Sequence, residues 1–325
     1  MTDTKTKGLI SSDTPNPDYN IDNIIFAGAA KNIEKSIPLL KESWLLIQKT
    51  FKNPKLFIYE SNSTDKTAVL LNELSYEFKG SIFVSTNTSV KLNSKIHTWD
   101  HLPCRIEMIA HARNMLLDMI KHHLNDYSFI VMFDIDLVAP LKPEIIKEVL
   151  SNYKSVEWDA LISNGVDSQG KIYDAFAYRD KDYPIGSELL HDHWWNLHQE
   201  MVRKIDTKED LKPMVSGFNG LTLYKIKSIE KCRYSAVPTQ NLNSLYLKLL
   251  KDTNNKLIKM YNERIMNDKS KYPGEYLFDD KTIYWVNNSG YNYPIICEHV
   301  TFHADMIANG KSKIFLCPQL YHRGW

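Results

Sequence analysis

The chain has 325 residues, 43% hydrophobic and 11% aromatic, enough for one large α/β domain or two small ones. Forty Lys and Arg against 39 Asp and Glu leave a net charge of +1, which gives nucleic acid no bulk electrostatic handle. Cys104, Cys232, Cys297 and Cys317 are scattered with no Cys-x-x-Cys pair, which argues against zinc-finger spacing and a disulfide scaffold and for reduced thiols.

Residues 1–20 are polar, carry prolines and lack an apolar h-region, so they read as a flexible tail rather than a signal peptide, with 21–325 as the folded domain. No run approaches the roughly 18 apolar residues of a membrane helix. The expectation is a soluble, cytoplasmic protein, with peripheral contact at a membrane surface left open.

The elements follow in order. Asn23–Ala30 reads as a first strand ending in small residues, which permit close approach of a ligand or backbone. Asn32 is a candidate cap for a helix marked by Ile33, Ile37, Leu40, Trp44 and Ile47 at helical spacing. Lys55–Tyr59 is a second strand, followed by a loop of turn formers from Glu60 to Thr67 and a helix over about 66–78. A short strand at 81–85, a helix at about 105–124 and the apolar strand Phe129–Phe133 come next. A helix to about Tyr153 and a strand at 158–163 follow, with 173–178 as an edge strand and 193–205 as a helix. Phe218–Lys225 is a strand, and 241–268 a single long amphipathic helix that either covers the core or lies at a membrane surface. The alternation calls for a mostly parallel, Rossmann-like sheet covered by helices.

The most informative junction is Phe129–Phe133 running into Asp134-Ile135-Asp136. A continuous apolar run is a strand buried on both faces. Its end lies at the rim where open α/β sheets bind ligands. In extended chain, residues i and i+2 point the same way, so Asp134 and Asp136 reach one point. Two adjacent carboxylates repel unless a cation sits between them, and Mg²⁺ or Mn²⁺ carrying phosphates is the natural occupant. The alternative is that these acids serve only as turn formers or helix caps.

Other polar residues have two readings each. A carboxylate in the Glu60–Thr67 loop either caps and turns or takes a ribose hydroxyl or base edge. Arg113 lies either on the surface or facing a nucleotide or Asp134, since a guanidinium suits phosphate and carboxylate. His299 and His303 are i and i+4 and share a face on a helix. They are either satisfied internally or one completes a metal shell, while Glu298 is a candidate base for an acceptor hydroxyl. His191, His193 and His198 with Asp192 leave a zinc site conceivable from spacing. Trp194 and Trp195 suit either the core or a sugar face.

Glu60-Ser61-Asn62-Ser63-Thr64-Asp65 resembles the D-D-G-S-T-D segment of glycosyltransferases of the GT-A fold, and Arg113-Asn114 resembles their R-N pair. Tyr59-Glu60-Ser61-Asn62-Ser63, Tyr173-Asp174 through Arg179-Asp180, and Phe218-Asn219-Gly220 resemble segments of the fungal capsule-associated mannosyltransferases, in order along most of the chain. Two departures from that family's pattern are Asp134-Ile135-Asp136 itself and Glu298-His299. The resemblance implies a single GT-A-like domain that moves a hexose, with mannose transferred with retention, and so without a separate base, as one candidate, and inversion with Glu298 as base as the other. The donor would be GDP-mannose or a UDP-sugar, and the acceptor a glycan or other hydroxyl. It implies Mn²⁺ or Mg²⁺ on Asp134, Asp136 and either His299 or His303, with Asp136 and Glu298 in catalysis. Glu60, Asp65, Arg113 and Asp134 would hold the nucleotide, and Asp174, Arg179, Asp180 and Asn219 the substrate. The alternative is a catalytically silent relative that only binds nucleotide sugar or glycan.

Overall fold

The computed structural model describes residues 19–92, 105–166, 171–190, 206–267, 274–278, 281–286 and 294–323. Ten strands are described: β1 (Ile24–Ala30), β2 (Lys55–Ser61), β3 (Ile82–Asn87), β4 (Phe129–Phe133), β5 (Ala160–Val166), β6 (Lys212–Pro213), β7 (Leu221–Lys225), β8 (Gly274–Phe278), β9 (Lys281–Trp285) and β10 (Ile314–Arg323). The helices are α1 (Ile37–Thr50), α2 (Thr67–Glu77), α3 (Arg105–Ile120), α4 (Pro143–Asn152), α5 (Ser187–Leu190), α6 (Ile226–Ile229), α7 (Gln240–Leu249), α8 (Lys256–Asn267) and α9 (Glu298–Ala308). Eight strands form one sheet in the order β3-β2-β1-β4-β7-β5-β10-β6, and β8 and β9 form a separate hairpin.

The pairs β3–β2, β2–β1, β1–β4 and β5–β10 are parallel, whereas β7 runs antiparallel between β4 and β5. This reversal decides where the site forms. The carboxyl ends of β1, β2, β4 and β5 meet the amino end of β7 on one rim, so the Phe218–Gly220 turn that enters β7 lies beside Asp134. The Asp134 N–H donates to the Gly220 carbonyl at 2.9 Å and extends the β4–β7 ladder past the end of β4.

The two-residue period of a strand divides β4 between two cores. Phe129, Val131 and Phe133 pack with the residues of α1, α2 and α4. Ile130 and Met132 join Ala112 and Leu116 of α3 and Val300 and Phe302 of α9. Ile135 belongs to the first core. Asp134, of the other parity, therefore falls on the side of α3 and α9. Each such apolar side chain contributes about 1.5–3 kcal/mol when fully buried, so a register slip that reversed the faces is strongly disfavoured.

Several expected elements differ. The stretch 173–178 is not a strand; it folds into turns held by isolated bridges from Val166 to Ile172 and from Arg179 to Ser216. The long helix expected at 241–268 is two helices, α7 and α8, broken where Asp252 accepts from the backbone of Asn254 and Asn255 precedes α8. Asn32 does not cap a helix but takes φ of 54° and hydrogen-bonds across to Thr64. The β8–β9 hairpin and β10 were not expected. The helix expected at 193–205 and the His191–His198 cluster, with Trp194 and Trp195, lie outside the described residues. Among the described residues no helix is long and apolar enough to cross a membrane.

The rim depends on one close approach. A Cβ added at Gly165 in β5 would stand 2.1 Å from the Asn219 carbonyl oxygen, so backbone would have to move. Gly165→Ala is expected to destabilise the fold by about 1–3 kcal/mol, the range for overpacking, read from urea denaturation midpoints.

Candidate active site

Arg113 is the centre of the site. It lies on the buried face of α3 with Ala112, Leu116 and Ile120. Its Nη2 donates to Asp134 Oδ1 at 3.0 Å, and its Nη1 contacts both Glu298 Oε1 and His299 Nε2. Its guanidinium carbon sits 4.5 Å from the ring centre of Phe218 and 5.8 Å from that of Tyr234. Burial works against its charge, but the Glu298 and Asp134 carboxylates outweigh that and raise its affinity for the proton. Of the two inward readings, a fork facing a nucleotide or one braced against Asp134, the geometry shows the second, and the fork joins α3, the end of β4 and α9.

The ring contacts follow from local bonds. Asn114 donates to the Tyr234 carbonyl at 2.8 Å and accepts the Tyr234 N–H at 2.9 Å. This clamp holds the Tyr234 ring against Phe302, with centroids 4.1 Å apart. His299 stacks on Phe218 at 3.9 Å. Its Nε2 faces an N–H of Arg113 and so accepts, which places the proton on Nδ1, where no partner is found among the described residues. Burial, the Arg113 charge and His303 all push the His299 imidazolium down, so the ring is neutral at physiological pH.

His303, the other candidate metal ligand, is one helical turn deeper. The Ser216 hydroxyl lies 3.0 Å from its Nδ1 and the Tyr224 hydroxyl 3.1 Å from its Nε2. Both nitrogens are engaged inside the core, and burial holds the ring neutral with its pKa lowered to about 3. Neither histidine presents an unengaged Nε2 to Asp134.

Asp134 is half-buried and Asp136 exposed. Burial raises the Asp134 carboxyl, Arg113 opposes, and Asp136, Asp174 and Glu298 add repulsion, with the result pushed up to about 7. Asp174 follows the same logic: burial and Glu298 push it up to about 6 against the Ala177 N–H, Arg113 and Arg179. Asn219, with φ of 54°, donates to the Ser163 carbonyl at 2.9 Å and accepts the Asp174 N–H at 3.3 Å. The Asn219 amide thereby ties the Asp174 loop to the β5–β7 junction.

Arg179 and Asp180, expected at the substrate, are structural in this geometry. Arg179 is fully buried, pairs with Glu188 at 2.7 Å and donates to the Phe176 and Tyr178 carbonyls at 3.1 and 2.8 Å. Asp180 pairs with Lys212 at 2.6 Å and accepts from the Tyr178 hydroxyl and the Asp182 and Tyr183 N–H groups. Together they brace the loop that carries Asp174.

The loop after β2 is mostly a clasp. Asp65 accepts the N–H of Thr67 at 3.0 Å and of Glu34 at 3.2 Å, and Glu34 accepts the Lys66 N–H at 3.1 Å in return. Asn62 holds Val90 through both its N–H and its carbonyl. Glu60 differs. It is fully buried, its Oε1 takes the Ser63 N–H at 2.9 Å, and its Oε2 has no partner among the described residues. Of this loop's candidate residues, Glu60 alone has an unclaimed oxygen.

Sequence reasoning missed Phe218 and Tyr234 as the rings that sandwich Arg113, and Tyr173, whose hydroxyl feels the charges of Asp134, Asp136 and Asp174. Phe218 stood within a motif already noted. Tyr234 carries no motif, and only its pairing with Asn114 reveals it.

The chain is thus a mixed α/β domain whose mostly parallel eight-stranded sheet gathers acids at its carboxyl rim around one guanidinium. The chain matches, over residues 23–249, the model of the family described as Cryptococcal mannosyltransferase 1, and it belongs to that family. No curated protein matches it. Among solved structures it is similar to TarS 1-349 of S. aureus, at 12% identity over 70% of this chain and 54% of that one, with a TM-score of 0.40. It is also similar to the mannosyltransferase PcManGT from Pyrobaculum calidifontis in complex with GDP-Man and Mn²⁺, at 13% identity over 66% and 47% of the two chains, with a TM-score of 0.35. A third is glucosyl-3-phosphoglycerate synthase from Mycobacterium tuberculosis in complex with Mn²⁺, UDP and glucosyl-3-phosphoglycerate, at 14% identity over 84% and 90%, with a TM-score of 0.37. The chain spans about half the length of the first of these, 54% of it.

Two outcomes follow from these charges. Arg113→Met leaves Asp134 and Glu298 without their counter-ion and is expected to cost about 3–5 kcal/mol in chemical denaturation. The folded Asp134 carboxyl is raised from 3.8 to about 7, so between those values the folded state binds more protons than the unfolded state and stability falls as pH rises. In EDTA, thermal melts of Asp134→Asn should show a shallower decline across that window and a higher melting temperature than wild type above it.

Proposed function

We propose that the chain is a metal-dependent glycosyltransferase that moves a hexose, with mannose the first candidate, from a nucleoside-diphosphate sugar to a hydroxyl of a glycan or other acceptor. The family supports the class of reaction. The observation that carries the reading is the Asp134-Ile135-Asp136 junction, held at the sheet's carboxyl rim with Arg113 locking one side of Asp134. PcManGT is described with GDP-Man and Mn²⁺, which makes these the first ligands to try.

The donor set suits a hard divalent cation. Asp134, Asp136, Asp174 and Glu298 repel one another's charge around a single guanidinium. Among the described residues no group of three or more His, Cys, Asp or Glu is placed to hold a metal ion. Asp136 and Asp134 would therefore hold Mn²⁺ or Mg²⁺ from one side, leaving positions suited to phosphate oxygens and water. When bound, the ion supplies Lewis-acid neutralisation of the diphosphate as the sugar departs.

The chain's own residues divide the remaining work. Arg113 fixes Asp134 through Oδ1, so this carboxylate would meet the ion without reorganising. Glu298 and His299 hold Arg113 in turn. Glu60, with its unclaimed Oε2, is the candidate for a base or ribose hydroxyl of the nucleotide. Of the remaining chain, the described residues 171–190 and 206–220 would shape the sugar and acceptor side.

Asp136→Ala is expected to abolish transfer and donor hydrolysis. In calorimetry it should also remove the Mn²⁺-dependent part of GDP or UDP binding while leaving any metal-free binding unchanged. Wild-type rates in this variant would take Asp136 out of the mechanism. Tight donor binding by wild type without hydrolysis or transfer would instead favour a silent nucleotide-sugar-binding protein.

A further inference from the structure

The rim of the sheet opposite the acids is hollow and lined with lysines. The starts of β4 and β5 and the end of the antiparallel β7 frame a cavity of about 610 Å³. That volume lies within the roughly 300–1,000 Å³ of small-molecule sites. Its wall carries Lys225, Lys227, Lys311 and Lys313. β7 is entered through the Phe218–Gly220 turn at the candidate active site and ends in Lys225, about 17 Å away at the rise of a strand. Likewise α9 begins at Glu298, on Arg113, and the chain beyond its end delivers Lys311. The cavity and the acidic rim therefore lie at opposite ends of the same two elements.

The fold holds these lysines in place. The Lys225 N–H donates to the Asp159 carbonyl and the Ile226 N–H to the Ser128 carbonyl, both at 3.1 Å, which seats the end of β7 between β4 and β5. The Lys225 ammonium lies 4.7 Å from the ring centre of Trp158 and 5.8 Å from that of Tyr19. Gly310, with φ of 77°, turns the chain out of α9, and the Lys311 N–H returns to the Met306 carbonyl at 2.9 Å.

The acids of the cavity are largely engaged. Glu157 pairs with Lys313. Asp159 takes the Ser228 hydroxyl at 2.7 Å on Oδ1 and the Lys313 N–H at 3.1 Å on Oδ2. Asp126 is exposed. Among the described residues no carboxylate forms an ion pair with the ammonium of Lys225 or of Lys311. Burial lowers the proton affinity of Lys225, Asp159 opposes from a distance, and Lys311 adds repulsion. Two like charges facing one cavity are relieved by an opposite charge between them. A phosphate, with several acceptor oxygens, can reach both.

We infer that this cavity is a binding site for a phosphate monoester, with Lys225 and Lys311 as the two cations that hold the phosphate oxygens. Asn20, Asn23 and Ser128 line the remaining space, which suits the polar body that carries the phosphate. The site is separate from the transfer reaction and does not depend on it.

The test is calorimetry of the full chain with inorganic phosphate and mannose-1-phosphate, in EDTA and at fixed ionic strength. Without a cation the acidic rim repels both probes, so binding should persist in Asp136→Ala. Lys225→Met keeps an aliphatic stem against Trp158. Lys311→Met alters a half-buried residue beyond α9, so the site is tested even where the first variant fails to fold. Each should weaken binding by about tenfold or more, the range for losing a hydrogen bond to a charged group. Lys225→Arg should retain most of the affinity, and Lys35→Met, at an exposed lysine elsewhere, should change nothing. Co-sedimentation with vesicles of phosphatidic acid in phosphatidylcholine separates the sources of the phosphate. Co-sedimentation that needs Lys225 and Lys311 assigns it to a lipid headgroup, and binding of the soluble probes without co-sedimentation assigns it to a free ester. A wild type that binds neither probe and no vesicle overturns the site. Wild-type affinity in a folded Lys225→Met or in Lys311→Met also overturns it, as does an equal loss in Lys35→Met, the mark of unspecific attraction between charges.

Discussion

A single buried guanidinium organises this protein's working rim. Arg113 ties α3 to the end of β4 through Asp134 and to α9 through Glu298 and His299. A charge so deep in the protein is tolerated only with partners that satisfy it, and here the partners come from two other elements, the end of β4 and α9. The bond between Arg113 and Asp134 aims one carboxylate of the acidic pair, while Asp136 stays exposed. Removing the guanidinium would leave buried carboxylates facing one another with nothing between them.

Much of the fold was legible because apolar periodicity is a local signal. The strands ending at Ala30, Ser61 and Phe133 and the helices α1 to α4 lie where their patterns place them. The failures have physical causes. The stretch 173–178 alternates like a strand but is anchored by Asn219 and Arg179 into turns, so tertiary contacts override its propensity. The run 241–268 keeps its apolar spacing across a turn at Asp252–Asn255, which periodicity alone does not register. β10 lies at the end of the chain, where sequence gives little reason to expect a strand between β5 and β6.

The site was legible as a set of residue types and much less as a set of partners. Asp134 and Asp136 announce themselves because two acids terminate a buried strand. That Arg113 meets Glu298, 185 positions away, is a property of the folded chain alone. The Glu60–Asp65 loop shows the opposite error. Its motif suggests nucleotide contact throughout, yet Asn62, Ser63, Thr64 and Asp65 bond to neighbouring loops and only Glu60 keeps an unclaimed oxygen. His299 and His303 share a helix face as their spacing requires, but the nitrogens that face neighbours are already engaged by Arg113, Ser216 and Tyr224.

The most direct measurement of the whole account is anomalous scattering from manganese in crystals grown with Mn²⁺ and GDP. The account places the metal signal against the side chains of Asp136 and Asp134, bridging to the diphosphate, with the guanidinium of Arg113 still on the far side of Asp134. A metal and diphosphate seated elsewhere on the molecule, with both side chains free of them, would contradict it.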